Sequence, residues 1–181
     1  MLLRKWQISI IGVGMVGAAL KHWFEENGWR RHKNLFLYDI NPEKRYFDDI
    51  NMADIIFVAV PTPRNSDNSC SLSAVASALA MIVKQAPAEK IVVIKSTVPP
   101  GTTEYFQDIY PEFKILFNPE FLTERRAYED FRSPKLQIIG HTSRSETVAQ
   151  AVLRILPPAH FNQIMPASAA EMFKYVRNCY L

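Results

Sequence analysis

Ile8-Ser9-Ile10-Ile11-Gly12-Val13-Gly14-Met15-Val16-Gly17 is the stretch that decides the fold. An apolar run passes directly into three glycines spaced G-x-G-x-x-G, and a helical pattern follows over residues 15–27. Strand, tight turn and helix in that order open a βαβ unit. Each glycine has its own steric reason there. Gly12 permits the turn, Gly14 lets the backbone approach a pyrophosphate, and Gly17 lets helix and strand pack closely. The backbone N–H groups of Met15 and Val16 open the helix, where the macrodipole favours an anion.

Working outward, the arrangement recurs three times. Ile55–Val60 runs into Pro61-Thr62-Pro63, and Ile91–Ile94 into Lys95-Ser96-Thr97-Val98-Pro99-Pro100-Gly101. Phe113–Phe117 runs into Asn118-Pro119-Glu120-Phe121-Leu122-Thr123-Glu124. Runs of Val, Ile, Leu and Phe without polar alternation read as strands covered on both faces. We read strands near 6–11, 34–39, 55–60, 90–95, 113–117, 136–140 and 160–165, and helices over 15–27, 72–86, 102–109, 119–129, 144–155 and 167–181. The alternation predicts an α/β fold, a Rossmann-like doubly wound, mainly parallel sheet with helices on both faces, followed by the start of a long C-terminal helix. Ligands of such sheets sit outside the carboxyl ends of the strands, so all four segments are expected to share one edge.

Punctuation supports the reading. Gly28 is a stop for the first helix and Pro157-Pro158 for the fifth. Residues 40–54 are short for a crossover helix, although Glu43–Ile50 fit two turns. Glu171–Leu181 carries no Gly, Pro or basic last turn, so it reads as a helix cut inside a longer one.

The chain of 181 residues is long enough for one domain, or one domain and a piece of another. Its 48% hydrophobic and 22% charged residues are ordinary for a globular protein, and its net charge of +3 is mildly basic. The one dense basic run, Arg30-Arg31-His32-Lys33, lies between a helix and a strand pattern with no interleaved aromatics. It reads as a solvated loop, not a nucleic-acid interface. Cys70 and Cys179 form no Cys-x-x-Cys and suggest no disulfide scaffold, which fits a reduced, cytoplasmic setting. Cys179 reads as a packing residue and Cys70 as an incidental loop residue. Arg4-Lys5 before Ile8–Leu20 imitates a signal peptide, but the glycines fit a nucleotide loop better and the run is too short to span a bilayer. No metal-ligand cluster and no membrane partner are read.

Asp39 ends the second strand pattern about twenty residues past the glycines, where a carboxylate holds ribose hydroxyls. A carboxylate there repels a 2′-phosphate, which favours NAD over NADP. Lys44 reads either as a contact to the adenosine end or as a solvated charge. Asn118 suits an N-cap and Pro119 a first helical position, which places Glu120 and Glu124 at i, i+4 on one face of a helix. Such a pair either divides acid and base roles or simply serves the helix dipole. Lys174 and Asn178 share the same spacing on the last helix. Side by side they can donate to a developing oxyanion, although from the residues alone Lys174 reads as a solvated charge. Thr97 either orders a water at a strand end or caps the edge. Thr62 sits between two prolines that fix its backbone, and reads as an NAD contact.

Together these strings resemble the N-terminal part of the UDP-glucose/GDP-mannose dehydrogenase family. Gly12–Gly17, Asp39, Val60-Pro61-Thr62-Pro63, Lys95–Thr102, Asn118–Glu124 and Glu171–Leu181 occur in that family's order. The resemblance implies NAD-dependent oxidation of the C6 alcohol of a nucleotide sugar, UDP-glucose or a relative, to the uronic acid for polysaccharide biosynthesis. It implies two Rossmann-like domains joined by a central helix that supports a homodimer in the full-length protein. Residues 1–166 are then the NAD-binding domain and 167–181 the beginning of that helix. The implied NAD contacts are Gly12, Gly14, Met15, Val16, Gly17, Asp39, Lys44, Val60, Pro61, Thr62, Ser96, Thr97 and Glu120. The implied catalytic residues are Thr97, Glu124, Lys174 and Asn178. The implied substrate contacts are Glu120, Phe121, Leu122, Glu124, Lys174 and Asn178. The family's cysteine nucleophile belongs to the second domain, and this chain has no such motif. Two features depart from the family: the shortened 40–54 stretch, and Leu136 at a position often filled by Arg. Two other readings share the glycine loop, a non-catalytic nucleotide-binding module and another NAD-dependent hydroxyacid dehydrogenase. The latter does not account for Asn-Pro-Glu-Phe-Leu-x-Glu.

Overall fold

The computed structural model describes residues 6–85 and 89–180. Arg4, Lys5, Ala86 and Leu181 therefore lie outside the described residues. The strands are β1 (Ile8–Ile11), β2 (Leu35–Tyr38), β3 (Ile55–Val58), β4 (Ile91–Ile94), β5 (Lys114–Phe117), β6 (Leu136–His141) and β7 (Phe161–Pro166). The helices are α1 (Met15–Glu26), α2 (Ser73–Gln85), α3 (Thr102–Ile109), α4 (Ala127–Arg132), α5 (Glu146–Ile155) and α6 (Ala167–Tyr180).

One sheet runs in the order β2-β1-β3-β4-β5-β6-β7. Every neighbouring pair is parallel except β5 with β6. Strand order reverses direction at β1, with β2 on one side and β3 on the other, which creates a crevice at the carboxyl edge. Register sharpens this. Ile11 is level with Tyr38 and Val58, Val58 with Ile94, and Ile94 with Phe117. The glycine loop, Asp39 and the three other motif segments therefore leave the sheet along one line.

Alternate strand residues feed two cores. Ile8, Ile10, Leu35, Leu37, Ile55 and Phe57 pack with Leu20 and Phe24 of α1 and Val152 of α5. Ile11, Ile56, Val58, Val92 and Ile94 pack with Val75, Leu79 and Ile82 of α2 and Phe106 of α3. Both faces of the central strands are thus dry, as their unbroken apolar runs require. The helix boundaries agree with expectation to within two residues, apart from residues 119–129. Gly28 ends α1 as expected, with the Trp29 N–H bonded to the Phe24 carbonyl.

Four expectations need correction. Residues 119–129 are not one helix: 118–123 are irregular, Glu124–Arg126 form a 3₁₀ turn, and α4 starts only at Ala127. The reason is Asn118. Its Oδ1, the atom that would cap a helix, accepts instead from the Lys95 ammonium, while its amide donates to Gln137 Oε1 and the Ile138 carbonyl across the β5–β6 pair. β7 is not covered on both faces. It is an edge strand with Phe161, Asn162 and Gln163 exposed and Pro166 at its end. Cys179 is exposed instead of packed. Residues 43–50 hold no two-turn helix. Pro42–Lys44 and Ile50–Met52 are single 3₁₀ turns, and between them residues 46–48 run antiparallel along β2. The Asp39 N–H bonds the Tyr46 carbonyl and the Asp48 N–H bonds the Leu37 carbonyl. The Asp48 carboxylate receives Arg31 in a two-point contact of 2.9 and 2.7 Å and the Leu37 N–H. The short segment thereby shields the outer edge of the sheet.

The last helix approaches the sheet closely because Gly140 has no side chain. A Cβ there would lie 2.9 Å from Ala167 Cα and from Ala170 Cβ. Ala167, Ala170, Glu171 and Lys174 form the buried stripe of α6 at helical spacing. Leu136, at the departure from the family noted above, opens β6 and packs on the second core. Among the described residues no helix is long and apolar enough to cross a membrane.

Candidate functional site

The glycine loop forms one wall of the crevice and is built from backbone. Gly12 has φ +87°, and a Cβ there would lie 2.5 Å from the Ala59 carbonyl oxygen. A Cβ on Gly17 would lie 1.9 Å from the Gly12 carbonyl oxygen. A Cβ on Gly14 would meet no heavy atom within 4 Å. Gly12 and Gly17 are thus required by the protein's own packing, whereas Gly14 faces open space. That open cradle at a helix N-terminus is what a pyrophosphate needs, and these residues fit a dinucleotide.

Asp39 is nearly buried beside the loop. One carboxylate oxygen accepts the Val13 N–H at 2.7 Å and the Lys44 ammonium at 2.8 Å, and the other accepts the Asn41 N–H at 2.9 Å. Burial raises its pKa, but Lys44 and the two N–H groups outweigh that and hold the carboxyl below its ordinary range. Lys44 also donates to the Val13 carbonyl at 3.0 Å. It is a clamp on Asp39 and the glycine loop, not a freely solvated charge.

The groove between the walls has a volume of about 250 Å³ and is lined by Met15, Val16, Ala59–Thr62, Lys95–Thr97, Glu120, Leu122 and Lys174. Two cross-links hold the β3 and β4 loops together. Thr62 Oγ1 donates to the Thr97 carbonyl at 2.8 Å, and Ser96 Oγ to the Val60 carbonyl at 2.6 Å. A second cavity of about 410 Å³ adjoins it, sharing Thr62 and Thr97 and including Arg64, Cys70 and Tyr175. Cys70 Sγ lies 3.7 Å from the Thr97 carbonyl oxygen.

The opposite wall is built from charged side chains. The Lys95 side chain is fully buried, 2.9 Å from Glu120 Oε2 and 2.6 Å from Asn118 Oδ1. Lys174 donates to the backbone carbonyl of Glu120 and lies 5.1 Å from the centre of the Phe121 ring. Phe121 is further packed by the Arg177 guanidinium at 4.2 Å and the edge of Phe173. Burial depresses the Lys174 pKa; Glu120 opposes this, while Arg177 and Lys95 reinforce it. Glu171, one turn before Lys174 and wholly buried, accepts the N–H groups of Gly101 and Thr103 and the Thr103 hydroxyl. Burial pushes its pKa up, against the pull of those bonds. Glu104 of α3 in turn accepts the Ser168 N–H at the start of α6. The two helices cap each other.

The structure thus brings Gly12–Gly17, Asp39, Val60–Thr62, Ser96, Thr97, Glu120, Leu122 and Lys174 to one crevice. Phe121 and Leu122 are half-buried against the two cores. Asn178 is exposed and is not among the groove-lining residues. Glu124 opens the 3₁₀ turn, so it shares no helix face with Glu120, and its side chain lies outside the described residues. Three functional candidates escaped the reading of the sequence: Lys95, Asn118 and Glu171. A lysine directly after a wholly apolar strand was the available signal for the first.

Comparison with known proteins agrees with this geometry. Residues 39–157 match the UDP-glucose/GDP-mannose dehydrogenase family, NAD binding domain. UDP-glucose 6-dehydrogenase of Pseudomonas aeruginosa is 36% identical over 141 residues, covering 71% of this chain and 31% of that protein. UDP-glucose 6-dehydrogenase 1 of Arabidopsis thaliana is 35% identical over 169 residues, covering 83% of this chain and 34% of that protein. A UDP-glucose dehydrogenase structure from Pyrobaculum islandicum superposes with a TM-score of 0.82 at 27% identity, covering 99% of this chain and 51% of that one. The chain spans about a third of the length of the curated relatives it matches. On this match, and on the crevice that it fits, the chain belongs to the UDP-glucose/GDP-mannose dehydrogenase family and carries its NAD binding domain.

Proposed function

We propose that the whole protein oxidises the C6 alcohol of a nucleotide sugar, UDP-glucose or a relative, to the uronic acid, and that this chain is its cofactor-holding part. The observation that carries the reading is the open Gly14 cradle faced, across one groove, by the buried Lys95–Glu120–Lys174 cluster. Bound NAD⁺ supplies the hydride acceptor. Gly12, Gly14, Met15, Val16 and Gly17 hold the pyrophosphate, and Asp39, steadied by Lys44, holds the adenosine ribose. Val60, Pro61, Thr62, Ser96 and Glu120 line the rest of the cofactor's path. Thr97 orders a water beside the reacting carbon. Lys174 stabilises the developing oxyanion, helped by Asn178, and Glu124 moves the proton. Phe121 and Leu122 offer backbone groups to the sugar nucleotide. A cysteine nucleophile for the second oxidation is assigned to the remaining two thirds of the protein. Residues 1–166 are then the NAD domain and 167–181 the beginning of a connecting helix that supports a homodimer. The mainly apolar core and two free cysteines suit a reduced, cytoplasmic compartment.

Calorimetric titration with NAD⁺ tests the cofactor reading. The chain should bind NAD⁺, and Asp39→Ala should weaken binding by about tenfold or more, the worth of a charged hydrogen bond. A folded chain with no measurable affinity for NAD⁺ refutes the proposal.

A further inference from the structure

Lys95 is the first residue after β4, and its side chain is wholly removed from water. A desolvated ammonium requires an opposite charge, and its other protons require acceptors. Both come from one short turn, through Glu120 Oε2 at 2.9 Å and Asn118 Oδ1 at 2.6 Å, with the Phe131 ring 5.4 Å away on another side. The turn after β5 is thereby stitched to the end of β4. The same Glu120 presents its backbone carbonyl to the Lys174 ammonium. A continuous line of contacts runs from Lys95, through the carboxylate and then the carbonyl of Glu120, to Lys174.

We propose that Lys95 is a positioning residue that acts on Lys174 through Glu120. It fixes the turn that receives the Lys174 ammonium and keeps the Glu120 carboxylate turned toward itself. The inference rests on the reading of Lys174 as the groove's oxyanion donor. The charged groups facing Lys174 are Glu120 from the turn after β5, Lys95 from the end of β4 and Arg177 from its own helix. Of these only Glu120 favours the charged ammonium. Without Lys95 the carboxylate is released and its attraction for Lys174 is unopposed by its former partner.

The test is the pH dependence of Lys174 acetylation by acetic anhydride, followed by peptide mass spectrometry on the chain without cofactor. Lys95→Met should move the labelling midpoint up by about one pH unit. In a Glu120→Gln background the same substitution should move it by clearly less, because only the direct repulsion between the two ammonium groups is then relieved. Equal shifts in the two backgrounds, or no shift in either, overturn the proposal. If Lys95→Met leaves Glu120 so poorly compensated that the chain does not fold, the double variant should restore a cooperative thermal transition. A double variant as unfolded as the single one also overturns the proposal. The labelling needs no NAD⁺, so a failure of cofactor binding and a failure of this coupling are read separately.

Discussion

The two walls of the groove solve the same problem with different materials. The glycine wall is backbone, and its geometry is dictated where a side chain cannot fit. The facing wall is Lys95, Glu120 and Lys174, three charged side chains delivered by three separate elements and backed by the buried Glu171. Its geometry is dictated by which buried charges must meet. The difference teaches that the first wall is set by one turn and the strand end beside it, Gly17 against Gly12 and Gly12 against Ala59, whereas the second exists only once β4, β5 and α6 have assembled.

The sharpest way to break that contrast is Gly17→Ala. The new Cβ meets the Gly12 carbonyl oxygen at 1.9 Å, and neither backbone can yield. The expected loss is at least about 4 kcal/mol, seen as the absence of a cooperative transition in thermal or urea unfolding. A stable variant would show that the turn adapts.

The charged wall should yield next. Glu171→Ala removes the acceptor of three hydrogen bonds and should cost about 2–3 kcal/mol in urea unfolding. Glu171 also predicts a sign. Its pKa is raised above the ordinary 4.5, so the native carboxylate is penalised at neutral pH. Lowering the pH through the native pKa toward 4.5 relieves that penalty, and this residue's contribution to stability should rise across the window. Glu171→Gln should abolish that component of the slope. The backbone wall, whose titrating groups are Asp39 and its partner Lys44, should show the opposite behaviour. The lowered pKa of Asp39 means its stabilisation holds above 3.8 and fades as the pH falls through the native value.

Gly14→Ala sharpens the comparison from the other side. Its Cβ meets nothing within 4 Å, so stability should stay within about 0.5 kcal/mol of the parent chain. NAD⁺ affinity should nevertheless fall by about tenfold or more by calorimetry, because the methyl occupies the cradle. The smallest effect belongs to Asn178→Ala. The side chain is exposed, and unfolding should change by no more than about 0.5 kcal/mol.

The same contrast explains what was legible before the structure. The sheet, its helices and the glycine loop could be read because each rests on local pattern: apolar runs, turn residues and a fixed glycine spacing. Asp39 could be read because its distance from the loop is set by one helix. Asn118-Pro119 misled because helix-capping chemistry is also hydrogen-bonding chemistry, and Lys95, Gln137 and Ile138 claimed the asparagine first. Lys95 passed unnoticed because its importance lies in a partner 25 residues away that nothing local announces. Lys44 was ambiguous until Asp39 and Val13 were seen to converge on it.

The single antiparallel pairing in the sheet has a directional consequence. A helix that follows a parallel strand sets off away from the ligand edge, so it can present only its first residues there. β6 and β7 point the other way, and α6 therefore travels toward that edge. It leaves from beside Gly140, which is level with Phe117. Seven helical residues from Ala167 to Lys174 advance about 10 Å, and three extended residues from Phe117 to Glu120 advance about the same. Inverting one pair of strands is what lets the middle of a rigid rod, and not a pliable loop, deliver an ammonium to the carbonyl of Glu120.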